Sequence, residues 1–245
     1  SSKGDPDYQS YDGGPPAEPK LNKQKGLNRF VWDMRYPIML GIPTAYLEAS
    51  YRGHKAPPGK YAITLKYGGK EVKTECTILP NPLYETTDEF YKTYHSYMLS
   101  MEQTLNDMHR KVNTMARMRE QIEGVVKTMG DEPKFQNLKK EAGELIKKMN
   151  TWDEEMVQRK SKAYDDVDNF PNKFTANYLF MMNQTESDIP KVGQPSRDRR
   201  DELEKEWNGL DSRAKQIING EVPAFVKKLW DAGIGAVWVT DGKDF

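Results

Sequence analysis

The chain has 245 residues, enough for one large domain or two smaller ones, and its 37 basic and 37 acidic residues cancel. A neutral chain has no field that would attract nucleic acid or an anionic membrane, and no apolar run is long enough to span a bilayer. The single cysteine, Cys76, excludes an intramolecular disulfide.

The first 25 residues predict a linker or a long loop. Proline and glycine recur through them, as in Gly-Asp-Pro and Asp-Gly-Gly-Pro-Pro. Both residues interrupt helices and strand ladders, so regular structure is not expected before residue 26.

Residues 26–82 predict a small antiparallel β module of the immunoglobulin or fibronectin type. Strands are expected at 27–32 and 45–49, followed by a hairpin that turns at Gly68-Gly69 and returns over 70–79. The first hairpin strand alternates, which places four apolar residues on one face: Tyr61, Ile63, Leu65 and Tyr67. A complete sandwich of this class takes about 100 residues, so its missing strands are expected upstream of this chain.

A long helix with an apolar stripe is predicted over residues 86–129. The stripe residues recur at intervals of three and four, the spacing of a coiled-coil seam. They are Met98, Met101, Leu105, Met108, Val112, Met115, Ile122, Val126 and Met129. Arg119 holds the one stripe position that is not apolar, and we expect it to meet a carboxylate from another helix or to reach solvent.

Three further helices are predicted downstream, two of them with stripes of the same spacing. These stripes are Phe135, Leu138, Ala142, Leu145, Met149, Trp152 and Met156, and then Leu203, Trp207, Leu210, Ala214 and Ile217. The connection after the long helix is short, which forces the second helix to run antiparallel. Residues 83–245 therefore predict an antiparallel, mostly intramolecular helical bundle with long coiled-coil-like helices, ending in an apolar extended segment at 234–239. The fold class as a whole is α+β.

No constellation for catalysis or metal binding is visible in the sequence. His54, His95 and His109 are far apart without the spacing of zinc ligands, and we expect all three to be exposed. Cys76 has no histidine beside it, and no glycine-rich loop precedes a helix to hold phosphate. The sequence therefore predicts no catalytic residue, no metal and no cofactor.

Aromatic residues of the β module are candidates for binding a glycan, because an aromatic ring matches the apolar face of a sugar. The candidates are Trp32, Tyr36, Tyr46 and Tyr51. The alternative is that these rings fill the core or anchor loops.

The run Gly26 to Pro37, GLNRFVWDMRYP, resembles the segment after the β-propeller in large secreted bacterial proteins with sialidase-like repeats, of the sortilin-type or glycosyl-hydrolase-like family. That family continues with a Pro-Gly-x-Tyr strand pair, which Pro58 to Tyr61 matches, and Thr77 to Pro82 follows. A helix with tryptophan and leucine is matched by Leu203 to Leu210. The resemblance is close in the β motif and loose in the helices.

The resemblance implies an accessory C-terminal region of a secreted, periplasmic or cell-surface protein. An upstream β-propeller of the same protein would be its main partner, with another protein or a carbohydrate as further partners. No catalytic residue of the family falls in this chain, so its enzymatic character rests with the parent protein, a glycosyl hydrolase by resemblance.

Three hypotheses about function follow. The first is a non-catalytic structural or interaction module that braces the propeller or docks a partner or glycan. The second is a fragment that completes the active site of a parent glycoside hydrolase. The third is a coiled-coil oligomerisation arm, which requires the stripe of the long helix to be covered by another chain.

Overall fold

The computed structural model describes residues 11–235, which form an α+β fold of five α-helices and one two-stranded antiparallel sheet. The elements are β1 (Gly59–Tyr67), β2 (Lys70–Ile78), α1 (Asp88–Thr128), α2 (Gln136–Met156), α3 (Phe174–Glu186), α4 (Gln194–Gln216) and α5 (Val222–Asp231). Short 3-10 turns precede α2 at Pro133–Phe135 and lie before α3 at Tyr164–Asp168.

Helix α1 is the spine of the molecule, and α2, α3 and α4 pack on it. Its predicted stripe is confirmed as the core from Met98 to Ile122, where the apolar stripe residues are at most 2% exposed. Met118 is also buried, while Arg119 lies beside it, half-buried, and donates to Asn150 Oδ1 at 2.9 Å. The expected carboxylate partner of Arg119 is therefore an amide. Helices of the same chain cover the stripe, so the seam that an oligomerisation arm requires is already occupied.

The two halves of α1 have different covers. Helix α2 runs antiparallel along the C-terminal half, as predicted, with Asn150 opposite Arg119. Helices α3 and α4 pack on the N-terminal half. The start of α4 lies there, because the Tyr97 hydroxyl donates to the Ser196 carbonyl at 3.1 Å. Lys111 then pairs with Asp211 at 2.9 Å, so α4 runs parallel to α1.

Helices α4 and α5 are joined by a π-helical turn at Ile217–Glu221. Val222 N–H donates to the Ile217 carbonyl, five residues back. This wider turn moves the buried stripe from Ile217 to Val222, a step of five residues, after which Phe225 and Leu229 continue it.

Residues 34–57, which we call the strap, form a U-shaped segment that lies on α1 and α3. Its two arms pair irregularly: Met39 N–H donates to the Tyr51 carbonyl at 2.8 Å, and Tyr36 N–H donates to the His54 carbonyl at 3.0 Å. The arms touch at Gly53, where a Cβ would come within 2.4 Å of the Tyr36 carbonyl oxygen. The strap contributes to the same core as the helices through Met39, Ile42, Ala45, Leu47 and Tyr51.

The predicted strands at 27–32 and 45–49 are wrong. Both stretches are irregular, and Leu27 is 99% exposed because no strand within residues 11–235 pairs with 27–32. Residues 45–49 follow the bend of the U-shaped strap, and Ala45 and Leu47 are buried against the bundle. The predicted boundary at residue 82 is also displaced, since the strap belongs to the helical core and only the hairpin stands apart.

The β1–β2 hairpin is the part of the β module that the sequence predicted correctly. Gly68 and Gly69 take positive φ of 54° and 76°, as a tight two-residue turn requires. Gly59 pairs with Ile78 and Tyr67 with Lys70, which fixes the register. A second sheet facing this one, which a sandwich needs, is not found within residues 11–235.

Two predicted segments extend beyond the described residues. Residues 11–25 of the predicted linker are irregular, and 1–10 lie outside. The apolar segment at 234–239 lies outside the described part from residue 236. None of the helices between residues 11 and 235 combines the length and apolarity needed to cross a bilayer.

Candidate functional site

The hairpin has one apolar and one charged face. Residues that pair across an antiparallel ladder share a face, and the register therefore sorts every side chain. We call one side the apolar hairpin face, because most of its side chains are apolar: Tyr61, Ile63, Leu65, Tyr67, Val72, Cys76 and Ile78. Thr74 and Lys70 lie on the same side. The other side carries Lys60, Lys66, Glu71, Lys73 and Glu75, with Glu71 bonded to both Lys66 and Lys73.

The apolar hairpin face is open to solvent. Leu65 is 55% exposed and Val72 is 65% exposed, although they pair directly across the ladder. Trp32 borders this face, because its ring meets the Tyr61 ring edge-on at 5.6 Å. A two-stranded hairpin with an uncovered apolar face is marginally stable in water, and a covering surface would stabilise it.

A second cluster joins the strap to α1. Glu102 Oε1 accepts from both the backbone N–H and the Nδ1–H of His54, at 2.7 and 2.8 Å. His54 Nε2 lies 2.8 Å from His95 Nδ1, and the Tyr36 ring stacks on the His54 ring at 4.4 Å. Since a carboxylate only accepts, neutral His54 holds its proton on Nδ1, so its Nε2 accepts from His95 Nδ1–H.

Burial decides the electrostatics of this cluster. His54 is 1% exposed and His95 is half-buried. Burial, and then the neighbouring His54, lowers the pKa of His95 below its ordinary value. Burial, and then the charge of Glu102, raises the pKa of Tyr36. Burial therefore favours the uncharged forms of His95 and Tyr36.

His109 is a third histidine under the strap. Its Nδ1 donates to the Leu40 carbonyl at 2.6 Å, while its buried Nε2 has no hydrogen-bond partner in the described part of the chain. Burial lowers the pKa of His109 to about 4, because a proton on Nε2 would be buried without an acceptor. The expectation of three exposed histidines is wrong: His54 is buried where the strap meets α1, and His109 is buried beneath the strap.

The four glycan candidates do not form one platform. Tyr51 is 1% exposed with its ring 5.9 Å from His109, so it offers no face to a sugar and that assignment is corrected. Tyr36 gives one face to His54, and half-buried Tyr46 lies apart, over Gly13. Trp32 is 37% exposed and donates Nε1–H to the Arg35 carbonyl. Trp32, Tyr36 and Tyr46 remain predictions.

The strap cluster was missed in the sequence although a signal for it exists. His95, Glu102 and His109 recur every seven residues, each directly after a buried stripe residue. A heptad repeat of titratable side chains beside a seam indicates that something covers that flank of the helix. The residue that completes this cluster, His54, lies 48 residues before Glu102, and sequence spacing gives no indication of it.

Neither metal ligands among the described residues nor a likeness to known proteins identifies a function for this chain. Within residues 11–235 no three histidine, cysteine or carboxylate side chains could hold a metal ion together. No protein-family model, no curated protein and no solved structure matches the chain.

Proposed function

We propose that this chain is a non-catalytic accessory module that docks through its apolar hairpin face onto the sheet of a preceding domain. That domain is a β-propeller of the same secreted or cell-surface protein, the partner that the resemblance implies. In this arrangement β1 and β2 form part of an immunoglobulin-like sandwich, and the coiled-coil-like bundle holds the hairpin in place.

The exposed apolar hairpin face carries this proposal. An isolated hairpin gains little from its own cross-strand pairs, and a charged opposite face gives it one side for solvent and one for a partner. A second sheet is the natural cover, since sheets pack face to face at about 10 Å with interdigitating side chains. Trp32 beside Tyr61 would lie at the rim of the contact.

The test compares amide hydrogen exchange of β1 and β2 in residues 1–245 with that in the complete protein. We expect the hairpin amides to exchange at least tenfold more slowly in the complete protein. Replacing Leu65 by lysine should remove this protection, because it places a charge in the contact. The matched variant Ala62→Lys adds the same charge to the other face, opposite Glu75, and should retain it. Equal exchange of the hairpin in both proteins would refute docking.

The enzymatic alternative has its own test. A glycan panel incubated with residues 1–245 should show no hydrolysis. Deleting residues 26–235 from the complete protein should lower its stability and leave turnover per folded molecule unchanged. Turnover that disappears on this deletion in a protein that remains folded would favour the hypothesis that the chain completes the active site.

A further inference from the structure

All three histidines of the chain lie at one interface, between the strap and α1. His54 belongs to the strap, while His95 and His109 belong to α1. Each contacts a group on the opposite side: His54 contacts Glu102 and His95, and His109 contacts the Leu40 carbonyl. We infer that protonation of these histidines releases the strap from α1, so that acidification loosens the connection between the hairpin and the bundle.

The His54–His95 pair has room for one positive charge. One proton between His54 Nε2 and His95 Nδ1 makes the 2.8 Å hydrogen bond, and an added proton can enter at His95 Nε2 without disturbing it. A second added proton would place two N–H groups against each other at that distance and break the bond. The released strap frees both rings, which can then both be protonated.

His109 excludes a further proton while the strap is closed. Its Nδ1–H is held by the Leu40 carbonyl, and its Nε2 is fully buried without a partner in the described structure. The Tyr51 ring covers it from the strap at 5.9 Å and carries no compensating charge. An imidazolium here becomes favourable only when water reaches Nε2, which requires the strap to move.

The charges around the cluster do not remove this conflict. Glu102 and Tyr94 face His54 from α1, and Tyr36 faces it from the strap. From α3, Glu186 forms an ion pair with Arg35 of the strap at 2.8 Å, which neutralises that carboxylate. Glu102 is therefore the one anion bonded to the histidines among residues 11–235, and it balances one proton of the three that the open strap can accept.

Other contacts of the strap do not titrate near neutral pH. Leu40 N–H donates to Asn106 Oδ1, Asn113 donates to the Gly41 carbonyl, and Asn183 exchanges two hydrogen bonds with the backbone of Ser50. The strength of these contacts does not depend on pH. The contacts of the three histidines are the ones that make the binding of the strap to α1 depend on pH.

The experiment is amide hydrogen exchange of residues 1–245 between pH 6 and pH 5, corrected for intrinsic exchange. The closed strap binds two protons fewer than the open one, so its opening constant should rise about hundredfold per pH unit. The reporters are the N–H groups of Leu40, Ser50 and His54, whose partners lie on the helices. They should open more often than amides in the middle of α2. Strap amides that open only together with α2 would overturn the inference.

Two variants test which groups carry the effect. His95→Gln can donate to His54 Nε2 or accept from it, and His109→Gln can still donate to the Leu40 carbonyl, yet neither glutamine titrates. Each should reduce the dependence to about tenfold per pH unit, and the double variant should abolish it. The control Glu155→Gln removes an exposed pair with Arg213 and should retain the hundredfold dependence. An undiminished dependence in the double variant would overturn the inference.

Ring titration of the unmodified chain serves if a variant fails to fold. In nuclear magnetic resonance spectra at pH 5.5, His109 should remain neutral, and His54 and His95 together should carry no more than one added proton. Three histidines that titrate together near pH 6.5 without faster exchange of the strap would count against the inference.

Discussion

Met118, and not Arg119, is the buried residue at this point of the α1 stripe. The spacing predicts residue 119 in the seam of α1, but a straight helix has 3.6 residues per turn and drifts away from a strict 3.5 repeat. At this point Met118 is 3% exposed and Arg119 reaches out to Asn150. The seam therefore continues without a buried charge.

Truncating these two neighbours should have unequal effects. Met118→Ala should cost about 2–4 kcal/mol of unfolding free energy, because it leaves a cavity in the core. Arg119→Ala should cost less than about 1 kcal/mol, because its partner Asn150 can turn to water. Urea unfolding followed by helical circular dichroism measures both. A larger cost for Arg119→Ala would place residue 119 in the seam after all.

His109 should make the stability of the whole chain depend on pH. Its pKa is about 4 in the folded chain and about 6.5 unfolded, so the folded state binds fewer protons between these values. Its contribution is therefore fully present above pH 6.5 and is lost as the pH falls towards 4, a loss of roughly 3 kcal/mol.

Urea unfolding at pH 7 and pH 4.5 measures this loss. His109→Gln should lose less stability than the parent chain over this range, because glutamine does not titrate. Equal losses in both proteins would assign the pH dependence to other groups.

At the level of elements, the helices were predictable and the strap was not. The predicted stripes in α2 and α4 are buried from Leu138 to Met156 and from Leu203 to Ile217, because local spacing determines which side of a helix is apolar. The strap depends on single hydrogen bonds to residues far along the chain, such as Ser50 with Asn183. Nothing in local composition encodes such pairs, and the sequence therefore predicts a strand at 45–49, just after the bend of the strap.

The hairpin turn offers a test of how independent this element is. Gly69 has φ of 76°, where a β-branched side chain is strained by about 1–2 kcal/mol. Gly69→Val should therefore unfold the hairpin, while Gly69→Asn should retain it, because asparagine tolerates this conformation. The unfolding free energy of the bundle should change by less than about 0.5 kcal/mol in both, since the hairpin is mostly exposed.

Chemical shifts of Leu65 and Val72 report on the hairpin, and circular dichroism reports on the bundle. If Gly69→Val also destabilises the helices, the hairpin belongs to the same cooperative unit as the bundle.

At the scale of the whole molecule, the strap and the helices share one core, although the sequence suggested a boundary at residue 82. Leu47 is 2% exposed in that core. Leu47→Ala should therefore lower the unfolding free energy of the entire chain by about 2–4 kcal/mol, which appears as a lower urea midpoint.

Helical circular dichroism and tryptophan fluorescence should record the same shifted transition. The control Leu79→Ala lies at a 77% exposed position and should have little effect. Two separate transitions in the Leu47 variant would instead support a division between the β module and the bundle.

Helix α1 also sets the distance between the segments attached to its two ends. Its 41 residues extend for about 60 Å, with the hairpin attached before its first turn and the connection to α2 after its last. Helix α2 packs along the second half of α1, and the strap, α3 and α4 pack on the first half, so bending of α1 is opposed along most of its length. Contacts made at the two ends of α1 would therefore be held several nanometres apart.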